Sequence, residues 1–301
     1  MSFGVSLAVA TALMQSLSYL ASGAFIKKHQ SAFKLLIVSQ LFMGACSVVL
    51  LPFFLSQDVV EALRGGWYFL IVWITMFCLG QTGFFIAQKY IEPSRLASLL
   101  GLKIIVLSAL WMIFNGKMLN LLQFAGVILG VAAAFAMNWS GGKQLHRKGI
   151  AALAMTLVCY SLTDLSETAM VNMVDRGNVV KAGISITLCC YTVLGICSLP
   201  FVKKVRWNFA MQMDSCAFAV IWLLSQMTLL ICFGILGPVF GNVVQSSRGL
   251  FSVLLGVLAC RFGMSQVENK ISSGMWFRRG FAALLMLISI VCFSFGKIIG
   301  G

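Results

Sequence analysis

Charged residues are scarce in this chain of 301 residues, and their scarcity decides its class. Asp, Glu, Lys and Arg make up 10% of the sequence, whereas a soluble globular domain carries about 25%. Hydrophobic residues reach 60% and the mean hydropathy is +0.97. With only four prolines and no long polar tract, disordered linkers are also excluded. The composition predicts an integral membrane protein.

Acidic residues are rarer than basic ones, since eight Asp and Glu stand against 22 Lys and Arg, for a net charge of +14. A basic chain can bind nucleic acid, but here the bases occur in short clusters between apolar runs, as in "KKHQSAFK" and "KKVRW". Clusters of this kind mark the loops of membrane proteins. We therefore predict contact with the lipid bilayer and none with nucleic acid.

The motifs of metal sites and of enzymes are also missing. The ten cysteines include no C-x-x-C pair, and the two histidines, His29 and His146, have no ligand partner at useful spacing. We interpret the cysteines as small apolar side chains and predict no metal and no cofactor. Neither a G-x-S-x-G motif, a P-loop nor a dinucleotide-binding glycine pattern is present. The sequence therefore predicts a protein that is not an enzyme.

Long apolar runs dominate what is present. About 20 residues are needed to cross a bilayer as a helix, and no run shows the sustained alternation of a strand. Ten runs reach that length: 3–26, 35–55, 67–88, 94–114, 119–138, 149–173, 183–202, 214–236, 238–260 and 277–298. The prediction is an all-α, multi-pass protein of ten transmembrane helices in the cell (inner) membrane.

The sequence also contains an internal repeat. A shift of 145 residues aligns Thr11 with Thr156, Ser16 with Ser161, Gln81 with Gln226, Pro93 with Pro238 and Lys103 with Arg248. The predicted halves, 1–145 and 146–301, then hold five helices each within one membrane unit. Because five is odd, the second half enters the membrane from the opposite side. This inverted-topology repeat is common in secondary transporters.

The repeat resembles a known family. Ten helices in two five-helix repeats, within about 300 residues, look like the EamA-like branch of the drug/metabolite transporter superfamily. The spacing from Gly4 to Thr11 and from Gly149 to Thr156 is similar, as is the glycine-rich run "LLQFAGVILGVAAAF". One departure is "NGKM", where Lys117 replaces the acid that the family often has. The resemblance implies export or uptake of small metabolites or drugs.

Orientation is left open by two opposing signals. Fifteen of the 22 Lys and Arg fall in odd-numbered connections, which by the positive-inside rule places both termini outside. The family resemblance implies cytoplasmic termini instead. The even number of predicted helices places both termini on one side in either case.

Four charged residues lie well inside the predicted spans, away from their ends: Lys103, Asp164, Glu167 and Arg248. Each costs roughly 2.5–3.5 kcal/mol at the centre of a membrane helix. One interpretation is that they form a neutral set that locks helices together. The other is that they line a substrate route, with the two bases binding a carboxylate or phosphate and the acids carrying a proton or holding an amino group.

We select nine candidate site residues on this basis. The predicted substrate-binding residues are Lys103, Arg248, Gln81, Gln226, Tyr160, Tyr19 and Gln245, and the predicted proton-coupling residues are Asp164 and Glu167. Asp164 and Glu167 are three residues apart and so share a helix face, which Tyr160 extends by one turn. Tyr19 is the position equivalent to Asp164 in the first half.

These features predict a secondary active transporter of small polar metabolites, working by alternating access and coupled to protons. The charge pattern suits amino acids or related organic anions and zwitterions. A passive channel or facilitator and a non-transporting membrane scaffold are the alternatives. The sequence does not fix the substrate, the direction of transport, the coupling ion or the choice between monomer and homodimer.

Overall fold

A computed structural model of the chain describes residues 2–91, 96–97, 99–116, 118–138, 146–174 and 179–261, together with ten residues in pairs between 281 and 296. Within these ranges the regular structure is helical, and no strand occurs. The first half contains α1 (Ser2–His29), α2 (Ala32–Phe54), α3 (Gln57–Gly65), α4 (Trp67–Ala87), a 3-10 turn (Leu100–Leu102), α5 (Lys103–Asn115) and α6 (Leu121–Asn138). The second contains α7 (Arg147–Met173), α8 (Val179–Ser198), a 3-10 turn (Leu199–Phe201), α9 (Val202–Val205), α10 (Phe209–Leu236), α11 (Pro238–Gln245) and α12 (Arg248–Arg261).

Among the described residues, six helical segments are long and apolar enough to cross a membrane: α1, α2, α4, α7, α10 and the segment Val179–Val205. Two shorter apolar helices cover Leu100–Phe114 and Leu121–Ala133. By length and composition, the protein is therefore a helical membrane protein. The predicted runs at 94–114 and 277–298 lie partly outside the described residues, as does Pro93.

The predicted ninth helix, 238–260, is wrong as a single helix, because the chain is interrupted at Ser246 and Ser247 between α11 and α12. The Ser246 hydroxyl donates to Val243 O at 2.5 Å, and Ser247 N bonds to Val244 O three residues back at 3.1 Å. Serine hydroxyls compete with the helix for backbone carbonyls in this way, and the turn tightens. Arg248 consequently becomes the first residue of a new helix.

Helix ends follow local sequence signals. The Asn208 side chain accepts from Met211 N at 2.7 Å at the start of α10, a standard N-cap. At the other end Gly237 adopts φ +83°, which a residue with a side chain rarely tolerates. Pro238 follows as the first residue of α11, where its missing N–H costs nothing. Gly237 therefore acts as the joint between α10 and α11.

Three helix pairs form the centre of the molecule: α1 packs along α10, α4 along α7, and α2 along α8. The α2–α8 pair crosses at two glycines. A Cβ at Gly44 would come within 2.6 Å of Gly195 Cα, and one at Gly195 would come within 2.7 Å of Gly44 Cα. Backbones approach this closely only where side chains are absent. The crossing therefore depends on both glycines.

Ionic side-chain contacts connect α1 and α10 at one end of this helix pair. Lys28 Nζ lies 2.8 Å from Asp214 Oδ1, and His29 Nε2 lies 2.7 Å from Asp214 Oδ2. The Lys28 side chain is 65% exposed and that of Asp214 is 27% exposed. Water therefore screens these contacts, and they fasten the end of α1 to the start of α10 only weakly.

Asp214→Asn is expected to lower the free energy of unfolding by only about 0.2–1 kcal/mol, since exposed ion pairs contribute that little. Unfolding in mixed micelles at low and high salt measures the effect, which should shrink at high salt because salt screens exposed charges. Asp58→Asn is the matched control, because Asp58 is exposed and has no ion pair among the described residues. A loss of several kcal/mol, unchanged by salt, would contradict the assignment as a surface contact.

Candidate functional site

The four charged residues selected from the sequence are buried together. Lys103 begins α5, Arg248 begins α12, and Asp164 and Glu167 lie on α7. Their exposed fractions are 3%, 3%, 4% and 2% respectively. Ionised groups at such depth must be paired or hydrogen-bonded, so their individual partners decide what the site can do.

Lys103 and Asp164 form a closed pair. Lys103 Nζ lies 2.6 Å from Asp164 Oδ2, and Asn242 Nδ2 donates to the same oxygen at 2.6 Å. Asn242 also donates to Pro238 O, one turn back in α11, at 2.8 Å. These contacts join α5, α7 and α11 at one carboxylate. The interpretation of the charges as a lock between helices therefore fits this pair.

Glu167 is held at one oxygen only. Trp73 Nε1, from α4, donates to Glu167 Oε1 at 2.5 Å. The second oxygen, Oε2, is buried and has no hydrogen-bond partner among the described residues. A buried acceptor without a partner is costly, so this oxygen is the position on Glu167 where a proton or a ligand donor gains most.

Arg248 hydrogen-bonds a neutral group. Its Nη1 donates to Gln15 Oε1 at 3.2 Å, and the neutral Tyr19 lines a cavity together with Arg248. No carboxylate among the described residues lies within ion-pair distance of Arg248, and its buried Nε has no partner there. Of the two buried bases, Lys103 is neutralised by a carboxylate and Arg248 is not.

These groups surround one small cavity of about 20 Å³, which holds about one water molecule. Its lining comes from six helices and combines the four charged residues with aromatic and amide side chains. The lining residues are Gln15, Tyr19, Phe77, Lys103, Tyr160, Thr163, Asp164, Glu167, Trp222, Gln226, Leu229 and Arg248. At this volume the cavity is too small for a metabolite in this conformation.

Seven of the nine residues selected from the sequence line this cavity. The other two, Gln81 and Gln245, do not line it but hydrogen-bond residues that do. Gln81 accepts a hydrogen bond from the Tyr160 hydroxyl. Gln245 Nε2 donates to Gln15 Oε1 at 2.9 Å. Both glutamines therefore position lining residues and do not face the cavity themselves.

Sequence reasoning missed most of the apolar lining and two important partners. Phe77 and Trp222 lie one helical turn before the selected Gln81 and Gln226, so helical spacing could have identified them. No local pattern marks Trp73 or Asn242 as partners of Glu167 and Asp164. They are 94 and 78 residues away along the chain.

Comparison with known proteins supports the fold only. No family model matches the chain, and no curated protein matches it. Among solved structures 27 chains match. One of them, described only as the crystal structure of a protein, has a TM-score of 0.63 and 14% sequence identity, and the match covers 94% of this chain and 95% of that one. Nearly the whole length therefore shares its arrangement of helices with a solved protein.

Proposed function

We propose that this protein is a secondary active transporter that moves a small polar metabolite bearing a carboxylate by alternating access. It would be an EamA-like member of the drug/metabolite transporter superfamily, with ten transmembrane helices arranged as two inverted five-helix repeats. The observation that carries the proposal is Arg248, a buried guanidinium that lines a central cavity without a carboxylate partner among the described residues.

Equivalent contacts support the inverted repeat. Ser16 Oγ donates to Arg248 O at 2.9 Å, and Ser161 Oγ donates to Lys103 O at 3.5 Å. Each residue of the first contact is 145 positions from its counterpart in the second. At helix level, α1 packs on α10 and α12, and α7 packs on α4 and α5. The first helix of each half thus packs against two helices of the other half, and the two pairs of partners occupy equivalent positions in the repeat.

The same equivalence singles out Arg248 as the anion site. Lys103 pairs with Asp164, whereas the residue equivalent to Asp164 in the first half is the neutral Tyr19, and no carboxylate of the described residues pairs with Arg248. A buried cation without an anionic partner is costly, and a substrate carboxylate would remove that cost. A guanidinium can also bind a carboxylate through two parallel hydrogen bonds. The substrate anion is therefore assigned to Arg248.

Proton coupling is assigned to Glu167 in preference to Asp164. Asp164 Oδ2 already accepts from both Lys103 and Asn242, so protonating it would disrupt two strong contacts. Glu167 Oε2 has no partner among the described residues and can take a proton without breaking any of their contacts. The small size of the cavity, which has room for about one water, favours a carrier over a continuously open channel.

Uptake by proteoliposomes containing the full-length protein tests this function. The vesicles are incubated with a broad metabolite mixture under a proton gradient, and their contents are analysed by mass spectrometry. Arg248→Gln is expected to reduce uptake of the accumulated metabolite by about 10- to 100-fold, the equivalent of one charge-assisted hydrogen bond. Arg64→Gln, at an exposed arginine outside the cavity, is the matched control.

Two results would contradict the proposal. Wild-type transport by both Arg248→Gln and Lys103→Ala would remove the pocket from the mechanism. Uptake that never exceeds the external concentration, with no counterflow, would identify a passive facilitator. Thermal melting of each variant in the same lipid separates loss of transport from loss of folding.

A further inference from the structure

We infer that one end of the molecule binds the headgroups of anionic phospholipids, through a basic surface made by residues 27–34 and 199–214. The inference is independent of the proposed transport, because this surface lies outside the central cavity. Three features support it: the contacts that join the two segments, the level of their bases in the membrane, and the reversed charge at the opposite end.

Side-chain contacts bring the two segments together. The Phe33 ring, at the start of α2, lies edge-on to the Phe201 ring, with centroids 6.1 Å apart. Lys204 Nζ lies 5.6 Å from the centroid of the same Phe33 ring. The contact of Lys28 with Asp214 joins the end of α1 to α10 beside them. The segments 27–34 and 199–214 therefore form one surface.

This surface is strongly basic. It carries six bases and one acid, the bases being Lys27, Lys28, Lys34, Lys203, Lys204 and Arg206. The acid, Asp214, is already in contact with Lys28 and His29. None of the other five bases has an ion-pair partner among the described residues, and four of them are exposed, Lys34 being half-buried. Their positive charge is left for an anion outside the chain.

The bases lie at the level of the lipid headgroups. The membrane-spanning segment Val179–Val205 ends within the surface, so that Lys203 and Lys204 occupy its last turn. Exposed aromatic rings surround them, from Phe33, Phe201, Trp207 and Phe209. Aromatic rings and bases at the end of a span mark the boundary between membrane and water. Lipid phosphates lie at this level, and a guanidinium can bind a phosphate through two parallel hydrogen bonds.

Aromatic residues mark the opposite end of the molecule as well. α2 begins in the basic surface, and its 23 residues extend about 34 Å at about 1.5 Å per residue, which is enough to cross the hydrocarbon core. At its far end Phe53, Trp67 and Tyr68 are exposed. Both ends therefore have the aromatic residues of a membrane boundary, and any difference in lipid preference must come from charge.

The charge at the opposite end is reversed. The shift of 145 residues aligns Lys203 with Asp58 and Arg206 with Glu61, and both acids are exposed on α3. Arg64 is the one base of that helix. Equivalent positions of the two halves thus carry opposite charge, and of these two surfaces only the basic one suits anionic headgroups.

Native mass spectrometry of the full-length protein in detergent micelles tests the inference. The protein is titrated with phosphatidylglycerol, which is anionic, or with phosphatidylcholine of the same acyl chains, which has no net charge, and bound lipids are counted. Wild type is expected to bind phosphatidylglycerol more tightly. Lys203→Gln with Arg206→Gln should weaken that binding about 30-fold, since each base near an anionic membrane surface contributes about fivefold, and should leave phosphatidylcholine binding unchanged.

Arg147→Gln with Lys148→Gln is the matched control, because it also removes two exposed bases, at the start of α7 and outside the basic surface. Its affinity for phosphatidylglycerol should match wild type. The reverse substitution, Asp58→Lys with Glu61→Arg, makes the opposite end basic and is expected to increase the number of phosphatidylglycerol molecules bound to each chain.

Three results would overturn the inference: phosphatidylcholine binding as tight as phosphatidylglycerol binding, wild-type affinity in Lys203→Gln with Arg206→Gln, or no added lipid in Asp58→Lys with Glu61→Arg. Thermal melting in phosphatidylcholine nanodiscs verifies that each variant is folded. The lipid titration contains no solute and no proton gradient, so a failure of the proposed transport leaves its result unchanged.

Discussion

Lys103→Met alone is expected to lower the free energy of unfolding by about 3–5 kcal/mol, because it leaves a buried carboxylate without its cation. Among the described residues, the side chain of Asp164 would keep the hydrogen bond from Asn242 to Oδ2. Since the pair joins α5 and α7 at a distance of 2.6 Å, the loss acts on helix packing as well as on charge. Unfolding of the protein in mixed micelles, followed by circular dichroism, measures the change.

The double variant Lys103→Met with Asp164→Leu is the control for this prediction. Replacing both members of a buried pair by apolar residues is often neutral or stabilising, so the double variant should recover most of the stability lost by the single one. If both variants are equally unstable, the packing of the two side chains stabilises the protein, and the ionic contact between Lys103 and Asp164 contributes little.

Gly44→Ala is expected to destabilise the protein by about 2–3 kcal/mol, at the upper end of the cost of overpacking. The new Cβ would come within 2.6 Å of Gly195 Cα. A flexible side chain could move aside, but a backbone atom in a facing helix cannot, so α2 and α8 must separate. The same unfolding measurement in mixed micelles detects this loss.

Gly65→Ala provides a control of opposite sign. Gly65 lies at the end of α3, and no atom lies within 4 Å of a Cβ built there. Alanine in a helix is favoured over glycine by about 0.5–1 kcal/mol, so this variant should be neutral or slightly more stable. Equal destabilisation by both alanines would show that close packing at Gly44 is not the cause.

The long helices could be predicted because a membrane span needs only length and apolar composition. The run predicted at 67–88 corresponds to α4, Trp67–Ala87, and the run predicted at 3–26 lies within α1. The interruption before Arg248 was not predicted from hydropathy, because an average over the run 238–260 stays apolar despite the polar stretch at 245–248. At the interruption the Ser246 hydroxyl bonds to Val243 O, and an average over a window does not detect such a contact.

The candidate site was predictable as a group and not as a set of pairs. A buried charge is expensive wherever it lies, so the sequence alone could mark Lys103, Asp164, Glu167 and Arg248. Which base meets which acid depends on packing between residues far apart in the chain. The sequence predicted both Lys103 and Arg248 as substrate-binding residues. The structure distinguishes them, because Lys103 is paired with a carboxylate and Arg248 is not.

The contact between Lys28, His29 and Asp214 has a counterpart of different chemistry at the equivalent end of the α4–α7 pair. There Met173 Sδ would lie only 2.8 Å from a Cβ at Gly66, so the helices meet through a thioether and a bare backbone. Salt weakens the ionic contact and leaves the apolar one in place. In the proposed alternating-access cycle, ionic strength would therefore act on the contact at one end and not on the contact at the other, a thermodynamic bias that involves neither substrate nor proton.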